Sequence, residues 1–591
     1  KEQYAHILCL YSKVMKLEFS LKDVFCPKLF NCLRAYTRKQ LLQDSIAGFI
    51  VGVVAIPLAI AFGIASGVGP TEGLITAVIA GFIISAMGGS KVQIGGPTGA
   101  FIVIIYGVIQ QHGITGLLIA TIMAGILLIL MGIFKLGNII KFVPYPVVIG
   151  FTAGIALTIF STQINDLFGM NIESVPADFL HKWVCYAQHW QDINWWAFGI
   201  GITSLLMLIF LPKLSKKMPT SLIVIIVMTV VVWVLKQYAG VDSITTIGDL
   251  YTIPQGIPMP KMPSLELTEG QTLWSLIQNL FPAAFTIAIL GAIESLLSAM
   301  VADGVIGDQH NSNTELIAQG VANIAVPFFG GIPATGAIAR TMTNIDSGGR
   351  TPVAGIIHAL VLLSALLFFG PLVGMIPMAC LAGVLIMVSY NMSGWRSLVW
   401  LAKNPKSDFI VMLVTFVLTI LFDLTIAIEV GLLLAIVLFL KRTNEATSIR
   451  SFSNELDPNA NSDVYGHDLE MLKIPRYTEV YEIDGPYFFG IANKFDDISR
   501  QTSSGEQRVR IIRMRKVSFI DSTGIHNLEQ LYLRLRRSGI VLVLSGVNSQ
   551  VFGALEKAGL VEMIGHENVR NHINGALERA EQIVEAIDNK K

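Results

Sequence analysis

Two short stretches rich in glycine and proline interrupt otherwise apolar sequence, Gly96-Pro97-Thr98-Gly99-Ala100 and Pro333-Ala334-Thr335-Gly336-Ala337. A helix broken inside a membrane leaves backbone N–H groups unpaired beside the positive end of its dipole, and both attract an anion. Paired interruptions at matching places in two halves of a chain point to a transporter site at a repeat interface. The two stretches therefore predict a binding site for a small anion. The shared Thr-Gly-Ala is a trace of that symmetry.

Few ionisable residues fall well inside the apolar runs, and each is a candidate for function. Glu294 stands in Ile287-Ala288-Ile289-Leu290-Gly291-Ala292-Ile293-Glu294-Ser295-Leu296-Leu297-Ser298. On a helix Gly291, Glu294 and Ser298 share one face by their i, i+3, i+4 spacing. A carboxyl there could carry a proton through a transport cycle, or rest protonated against neighbouring backbone. Arg340 keeps its charge and needs either an anion or the Glu294 carboxylate beside it. Two half-helix N-termini add roughly +0.5 charge each, so with Arg340 the sum favours an anion over a cation or a neutral solute. Glu429, His358 and Phe62 read as packing residues on composition alone.

The elements that must hold these residues are membrane spans. Of 591 residues 53% are hydrophobic and 14% charged, with a mean hydropathy of +0.62. Soluble domains carry about 25% charged residues. The zero net charge gives no reason to expect a nucleic-acid partner. Apolar stretches able to cross a bilayer of about 30 Å lie near 45–65, 72–89, 114–134, 145–162, 194–211, 219–238, 280–301, 313–328, 352–370, 375–390, 407–421 and 425–440. Counting the broken pieces, 93–110 and 331–345, as crossings brings the total to fourteen. Cytoplasmic segments then receive the eight Lys/Arg before residue 45 and twelve more, against Lys182, Lys236 and Lys261 outside. That asymmetry follows the positive-inside rule. Fourteen spans divide as seven plus seven with opposite orientation, an inverted repeat with the broken pieces third in each half.

Residues 1–44 read as a cytoplasmic lead-in with a surface helix, 45–442 as the membrane domain and 443–475 as a polar linker. In 476–591 strands and helices alternate, as in a small α/β domain. Expected strands are 480–483, 509–517 and 540–544; expected helices are 490–500, 522–538, 548–558 and 567–588. Asp521-Ser522-Thr523-Gly524-Ile525 falls between strand and helix, where Asp521 or Ser522 caps the helix or a hydroxyl accepts phosphate. The five cysteines are scattered and give neither a metal site nor a disulfide framework. No Walker-type phosphate loop appears, so ATP-driven pumping lacks support.

Taken together these pieces resemble the sulfate permease (SulP) family of secondary anion transporters, whose bacterial members include bicarbonate and dicarboxylate carriers. The resemblance rests on Pro57-Leu58-Ala59-Ile60-Ala61-Phe62 with Gly67-Val68-Gly69-Pro70, on Gly95 to Phe101, on Glu294, on Gly330-Gly331-Ile332-Pro333 through Arg340-Thr341, and on Asp521 to Ile525. The last stretch is similar to the STAS domain (sulfate transporter and anti-sigma-factor antagonist), in which the phosphorylated residue of the antagonists aligns with Thr523. The resemblance implies an all-α polytopic fold of fourteen spans with a cytoplasmic α/β STAS domain. A core of spans 1–4 and 8–11 would move against a gate of spans 5–7 and 12–14. Phe62, Pro97, Thr98, Gly99, Thr335, Gly336, Ala337 and Arg340 would bind the anion, with Glu294 and Ser298 coupling a cation. Sodium-coupled bicarbonate members place Asp and Thr where Glu294 and Ser298 stand, and Glu resembles the proton-coupled members. Members usually dimerise.

The expected protein is thus a multi-pass carrier of the bacterial inner membrane, not an enzyme, without cofactor or metal. It carries a sulfate- or bicarbonate-type oxyanion with a proton by an elevator motion. The other readings are a sodium-bicarbonate symporter, a C4-dicarboxylate carrier, an anion channel, or a membrane protein regulated through its STAS domain.

Overall fold

The computed structural model describes residues 25–589 apart from 35, 139–142, 173–174, 177, 215–219, 253–255, 257–258, 262–272, 404, 423, 453–454, 457–471 and 491–506. The chain divides into two compact units at Ala435/Ile436.

The first unit is built of helices. They are α1 (Arg38–Ala65), α2 (Pro70–Met87), α3 (Ile102–Ile133), α4 (Tyr145–Thr162), α5 (Trp195–Leu214), α6 (Thr220–Ala239), α7 (Leu273–Ile306), α8 (Ser312–Ala325), α9 (Ile338–Asp346), α10 (Pro352–Phe368), α11 (Met378–Met392), α12 (Lys406–Leu421) and α13 (Leu424–Ala446). Among the described residues eight helical segments are long and apolar enough to cross a membrane. Two extended pieces, β1 (Gly95–Gly96) and β2 (Thr335–Gly336), precede α3 and α9. Gly113 lies inside α3 with φ +67° and ψ −176°, values open to glycine at little cost. It divides α3 into a half-helix that continues the first break and a full fourth crossing. With that division the fourteen expected segments are all present.

Helix packing carries the repeat. Span 2 (α2) lies against span 11 (α10) as span 9 (α8) lies against span 4 (the second half of α3), and span 1 packs on span 11 as span 8 packs on span 4. Spans 5, 6, 12 and 13 follow the same rule. Span 5 (α4) packs on span 13 (α12), and span 12 (α11) packs on span 6 (α5). These pairs fall into two packed sets, α1–α3 with α7–α10 and α4–α6 with α11–α12. The sets meet where α1 touches α6 and α11 and where α3 touches α4. At the α3–α8 crossing a Cβ on Gly125 would lie 2.6 Å from the Gly320 carbonyl, and one on Gly320 2.5 Å from that of Gly125. Backbones touch there, so dispersion contacts hold the pair where lipid supplies no hydrophobic drive.

Several boundaries differ from the sequence expectation. Helix α1 starts at Arg38 and runs unbroken through Pro57, because Thr37 and Gln40 close a capping box ahead of the apolar run. The short helix Lys28–Leu33 leaves Phe30 and Leu33 exposed, as expected of a surface helix. Asp44 is 1% exposed and accepts from Arg350 N (2.8 Å), Thr351 Oγ1 (2.6 Å) and Tyr36 OH (2.9 Å). It thereby holds Thr351, the N-cap of α10, from the first turns of α1.

In the second unit, residues read as a linker are structured at their start. Helix α13 continues to Ala446, and β3 (Ser448–Phe452) pairs antiparallel with β4 (Thr478–Asp484). The polar composition of 443–470 conceals this edge strand, whose outer side has no hydrophobic pattern to announce it. Strands β5 (Val509–Lys516), β6 (Val541–Ser545) and β7 (Val569–Arg570) follow in parallel, giving the order β3-β4-β5-β6-β7. Helices α14 (Ser522–Arg537) and α15 (Ser549–Lys557) lead to the closing α16 (Ile573–Asp588), which starts six residues later than expected because β7 precedes it. Alternate residues of β5 face opposite cores, Ile512 and Met514 one way, Val509 and Ile511 the other. Both faces of the sheet are therefore covered, as in α/β layers. The expected helix at 490–500 lies outside the described residues. Asp521 caps α14, its Oδ1 accepting from Gly524 N at 2.7 Å and its Oδ2 from Phe489 N at 3.1 Å, with Ser522 and Thr523 exposed.

Candidate anion site

The two glycine-proline breaks come together as an antiparallel two-rung ladder. Gly95 pairs with Gly336 and Gly96 with Thr335. Ala337 N donates to Ile94 O at 2.9 Å, and Ile94 N to Thr341 Oγ1 at 3.0 Å. Backbone polarity that has no helical partner is thus satisfied across the repeat, as a low-dielectric setting demands. From the ladder two helices start. One is a 3-10 turn at Gly99–Phe101 leading into α3, with Thr98 at its N-cap; the other is α9, with Ala337 at its N-cap. Neither cap residue's side chain bonds the first turn. Both dipoles therefore present amides uncapped by any side chain.

Thr98 and Glu294 are joined directly, Thr98 Oγ1 donating to Glu294 Oε2 at 2.8 Å, and both are half-buried. Thr335 is fully buried and its hydroxyl donates to Gly291 O at 2.8 Å. Its side chain fixes the ladder to α7, so this threonine offers its backbone alone to a ligand. Ser298 Oγ donates to Thr341 Oγ1 at 3.2 Å. The expected face of Gly291, Glu294 and Ser298 is thus the one turned to the ladder.

Arg340 is 3% exposed. Its Nη2 donates to the carbonyl of Pro97, whereas Nη1 is buried without a partner. Among the described residues no carboxylate lies within ion-pair distance of Arg340, so the alternative of a direct Glu294–Arg340 pair is not what this state contains. A buried guanidinium N–H left unpaired is costly, and an anion at the ladder would satisfy it. Gly96, at φ +148°, makes room for the guanidinium; a Cβ there would stand 2.5 Å from Nη1. Phe62 is 6% exposed and its ring lies beside Gly99. A Cβ on Gly99 would meet Met392 Sδ at 3.0 Å, Ile159 Cδ1 at 3.2 Å and Phe62 Cε1 at 3.5 Å. Gly99 therefore sits on the seam between the two helix sets. Gly336 is packed tightly on the far side, its Cβ position 2.0 Å from Gln93 Nε2.

Behind the ladder lies a buried polar cluster that sequence reasoning missed. Glu315, fully buried, accepts through Oε2 from Gly89 N (2.8 Å) and Ser90 N (3.2 Å). Its Oε1 accepts from Gln93 Nε2 (3.0 Å), Gln319 Nε2 (3.1 Å) and Ser295 Oγ (3.3 Å). Ser312 and Glu315 have the spacing of a capping box, but they do not form one. Asn311 is the actual cap. Asn323 grips the second break, donating to Ala334 O at 2.8 Å and accepting from Ala334 N at 2.9 Å. Its signal in the sequence is the i, i+4, i+8 stripe of Glu315, Gln319 and Asn323 along one face of α8. Replacing Glu315 by alanine removes the acceptor of Gly89 N, Ser90 N, Gln319 Nε2 and Ser295 Oγ at once, while Gln93 Nε2 keeps its bonds to Ser295. Breaking such a buried charged network costs about 3–5 kcal/mol, so the Glu315→Ala protein should lose a sharp melting transition in detergent. Glu315→Gln should melt between it and wild type.

Comparison with known proteins agrees with this architecture. The pattern of the sulfate permease family matches residues 41–415, and that of the STAS domain matches 470–576. "Putative sulfate transporter YvdB" of Bacillus subtilis is 41% identical over 91% of this chain and 98% of its own length. The bicarbonate transporter BicA of Picosynechococcus sp. is 30% identical over 76% of this chain and 79% of its own. Among solved structures, the murine anion transporter Slc26a9 in its inward-facing state superposes with a TM-score of 0.83 at 18% identity, covering 97% of this chain and 98% of that one. The transmembrane domain of a cyanobacterial BicA gives 0.58 at 30% identity, over 68% of this chain and 98% of its own. The family patterns and these relatives make this a multi-pass membrane transporter carrying a STAS domain, a class of carriers and not of enzymes. The chain belongs to the sulfate permease family.

Proposed function

We propose that this chain is a secondary active carrier of a small inorganic oxyanion of the sulfate or bicarbonate type. The observation that carries the reading is the ladder. It sets two helix starts and the unpaired Nη1 of Arg340 around one place, and the Thr98–Glu294 bond adds a group able to hold a proton there. An anion bound to the amides of Gly99 and of the first turn of α9 would be neutralised in part by Arg340. A proton taken up by Glu294 would lower the net charge of the loaded site further. The first helix set, α1–α3 with α7–α10, would carry the loaded ladder as one body past α4–α6 and α11–α13. Gly99 supports this, since it gives the moving set a side-chain-free surface at Ile159 and Met392. The charge asymmetry of the loops favours cytoplasmic N-terminal and STAS segments, with the protein working as a homodimer in the bacterial inner membrane.

The likeness to the bicarbonate transporter BicA supports bicarbonate as a substrate, and a sodium-bicarbonate symporter is the second reading. Proteoliposomes loaded with full-length protein separate the two. Uptake of labelled sulfate, bicarbonate, fumarate and chloride is measured under a proton gradient and, at fixed pH, with and without sodium. Proton-driven uptake of sulfate or bicarbonate that saturates at modest turnover is the expected result. Strict sodium dependence selects the second reading. Conductance without saturation selects a channel and removes the carrier.

A further inference from the structure

One buried charge has no part in the function described so far. Lys182 lies on the short helix Phe179–Gln188, between α4 and α5. Its side chain is 3% exposed. The ammonium stands 6.0 Å from the centre of the Tyr106 ring, and among the described residues it has no hydrogen-bond or ion-pair partner.

The surroundings place this ammonium on the seam that leads to the ladder. Tyr186, one turn further on the same face, is buried and donates to Ser161 O at 2.9 Å; Trp183 Nε1 donates to Ser161 Oγ at 3.1 Å. These bonds fasten the short helix over the end of α4, two residues beyond Ile159. Tyr106 lies on α3 seven residues beyond Gly99, about 10 Å along a helix rising 1.5 Å per residue. Its hydroxyl donates to Val175 O at 2.9 Å, and its ring packs within 3.1 Å of where a Cβ of Gly67 would be. Gly99 touches Ile159 at one level of the seam, and Lys182 meets Tyr106 beside Ser161 two turns above.

We propose that Lys182, backed by Tyr106, forms a second anion site, taking a compact oxyanion or halide at the mouth of the seam before it reaches the ladder. This rests on reading the ladder as the anion site. Lys182 is desolvated along its length, and its one acidic neighbour on the same helix, Asp178, is half-exposed and bound to His181, so much of the cost of burying the charge is left uncompensated. The π-face of Tyr106 compensates for part of that cost, and an anion supplies the rest. Lysine acts there as a point charge without the fork geometry of arginine, which suits a transient stop more than a selective one.

Burial pushes the Lys182 ammonium down to about 8, against the pull of Asp178. Among the described residues the other titratable groups around it are His181, Cys185 and Tyr186 on its own helix, Tyr106 on α3, Asp166 on Ile164–Phe168 and Asp192 in the turn that follows. The adjoining end of α4 brings hydroxyls only, and that of α12 carries no ionisable side chain. The site is therefore cationic at neutral pH and loses its charge as pH rises through about 8. In the unfolded chain lysine keeps its proton to about 10.4. Between these values the unfolded chain binds more protons, so stability rises with pH there and falls as pH drops. An anion bound to the protonated form opposes that fall.

Two measurements test the site. Full-length protein is melted in sulfate, nitrate or chloride, each against gluconate of equal ionic strength, at pH 7.0 and 9.5. At least one compact anion should raise Tm at pH 7.0 and raise it less at pH 9.5. Lys182→Met should remove the pH-dependent part, Lys182→Arg should retain the gain at both pH values, and Glu294→Gln should leave the difference in place. In proteoliposomes Lys182→Met should raise KM about tenfold for anion entering from the Lys182 face and leave KM from the opposite face unchanged. A wild type without the pH-dependent gain, or a Lys182→Met protein that keeps it, overturns the site. A wild type that melts as expected yet carries no anion overturns the reading of the ladder instead.

Discussion

Glu294→Gln should abolish uptake driven by a proton gradient while anion exchange across the same membrane continues. Glutamine keeps the length of the side chain and a carbonyl oxygen able to accept from Thr98 Oγ1, the 2.8 Å contact that fixes this group at the ladder. It cannot take up and give back a proton. The amides of Gly99 and of α9, with Arg340, are untouched, so one anion can still replace another. Coupling free energies between linked sites run to about 3 kcal/mol, or about 150-fold, and gradient-driven accumulation should fall by about 100-fold. Labelled anion uptake with and without an imposed pH gradient, beside self-exchange in the same vesicles, reads both numbers. Gradient-driven uptake at the wild-type level would remove Glu294 from coupling.

Gly96→Val should silence transport and exchange alike. Its φ of +148° is closed to a β-branched residue, and the new Cβ would stand 2.5 Å from Arg340 Nη1. The guanidinium cannot retreat, because it is buried and its Nη2 is bound to the Pro97 carbonyl. Backbone strain of this kind costs about 1–3 kcal/mol, enough to lower the melting temperature without unfolding a membrane domain held together by so many packed helices. Exchange, which depends on the cradle itself, should drop more than 100-fold. Gly107→Ala is the control, since a Cβ there meets nothing within 4 Å. A Gly96→Val protein that exchanges anion normally would separate Arg340 from the binding place.

The breaks were legible because glycine and proline act locally. Gly96-Pro97 and Pro333 each deny a helix its hydrogen bonds wherever the rest of the chain lies, and apolar length marks the spans between them. The face of Glu294 followed from helical spacing in the same way. What escaped depends on partners distant in sequence. Glu315 drew no notice because the groups that hold it, Gly89, Ser90 and Gln93, arrive from more than 200 residues away. The bond from the Thr335 hydroxyl to the Gly291 carbonyl, 44 residues upstream, was equally out of reach. The strand Ser448–Phe452 was hidden because an edge strand with a polar outer side has no period to read. Lys182 gave no sign at all, because burial of a loop lysine is decided by what covers it.

The ladder also bears on how such a protein can diversify. Gly95–Gly96 and Thr335–Gly336 share their backbone bonds, so neither crossover can shift alone without tearing a rung in a place water does not reach. A lineage that comes to prefer a larger or flatter solute must therefore adjust both repeats together. Heritable changes in preference are expected as matched pairs, one close to residue 96 and one close to residue 336, with either change alone a dead end.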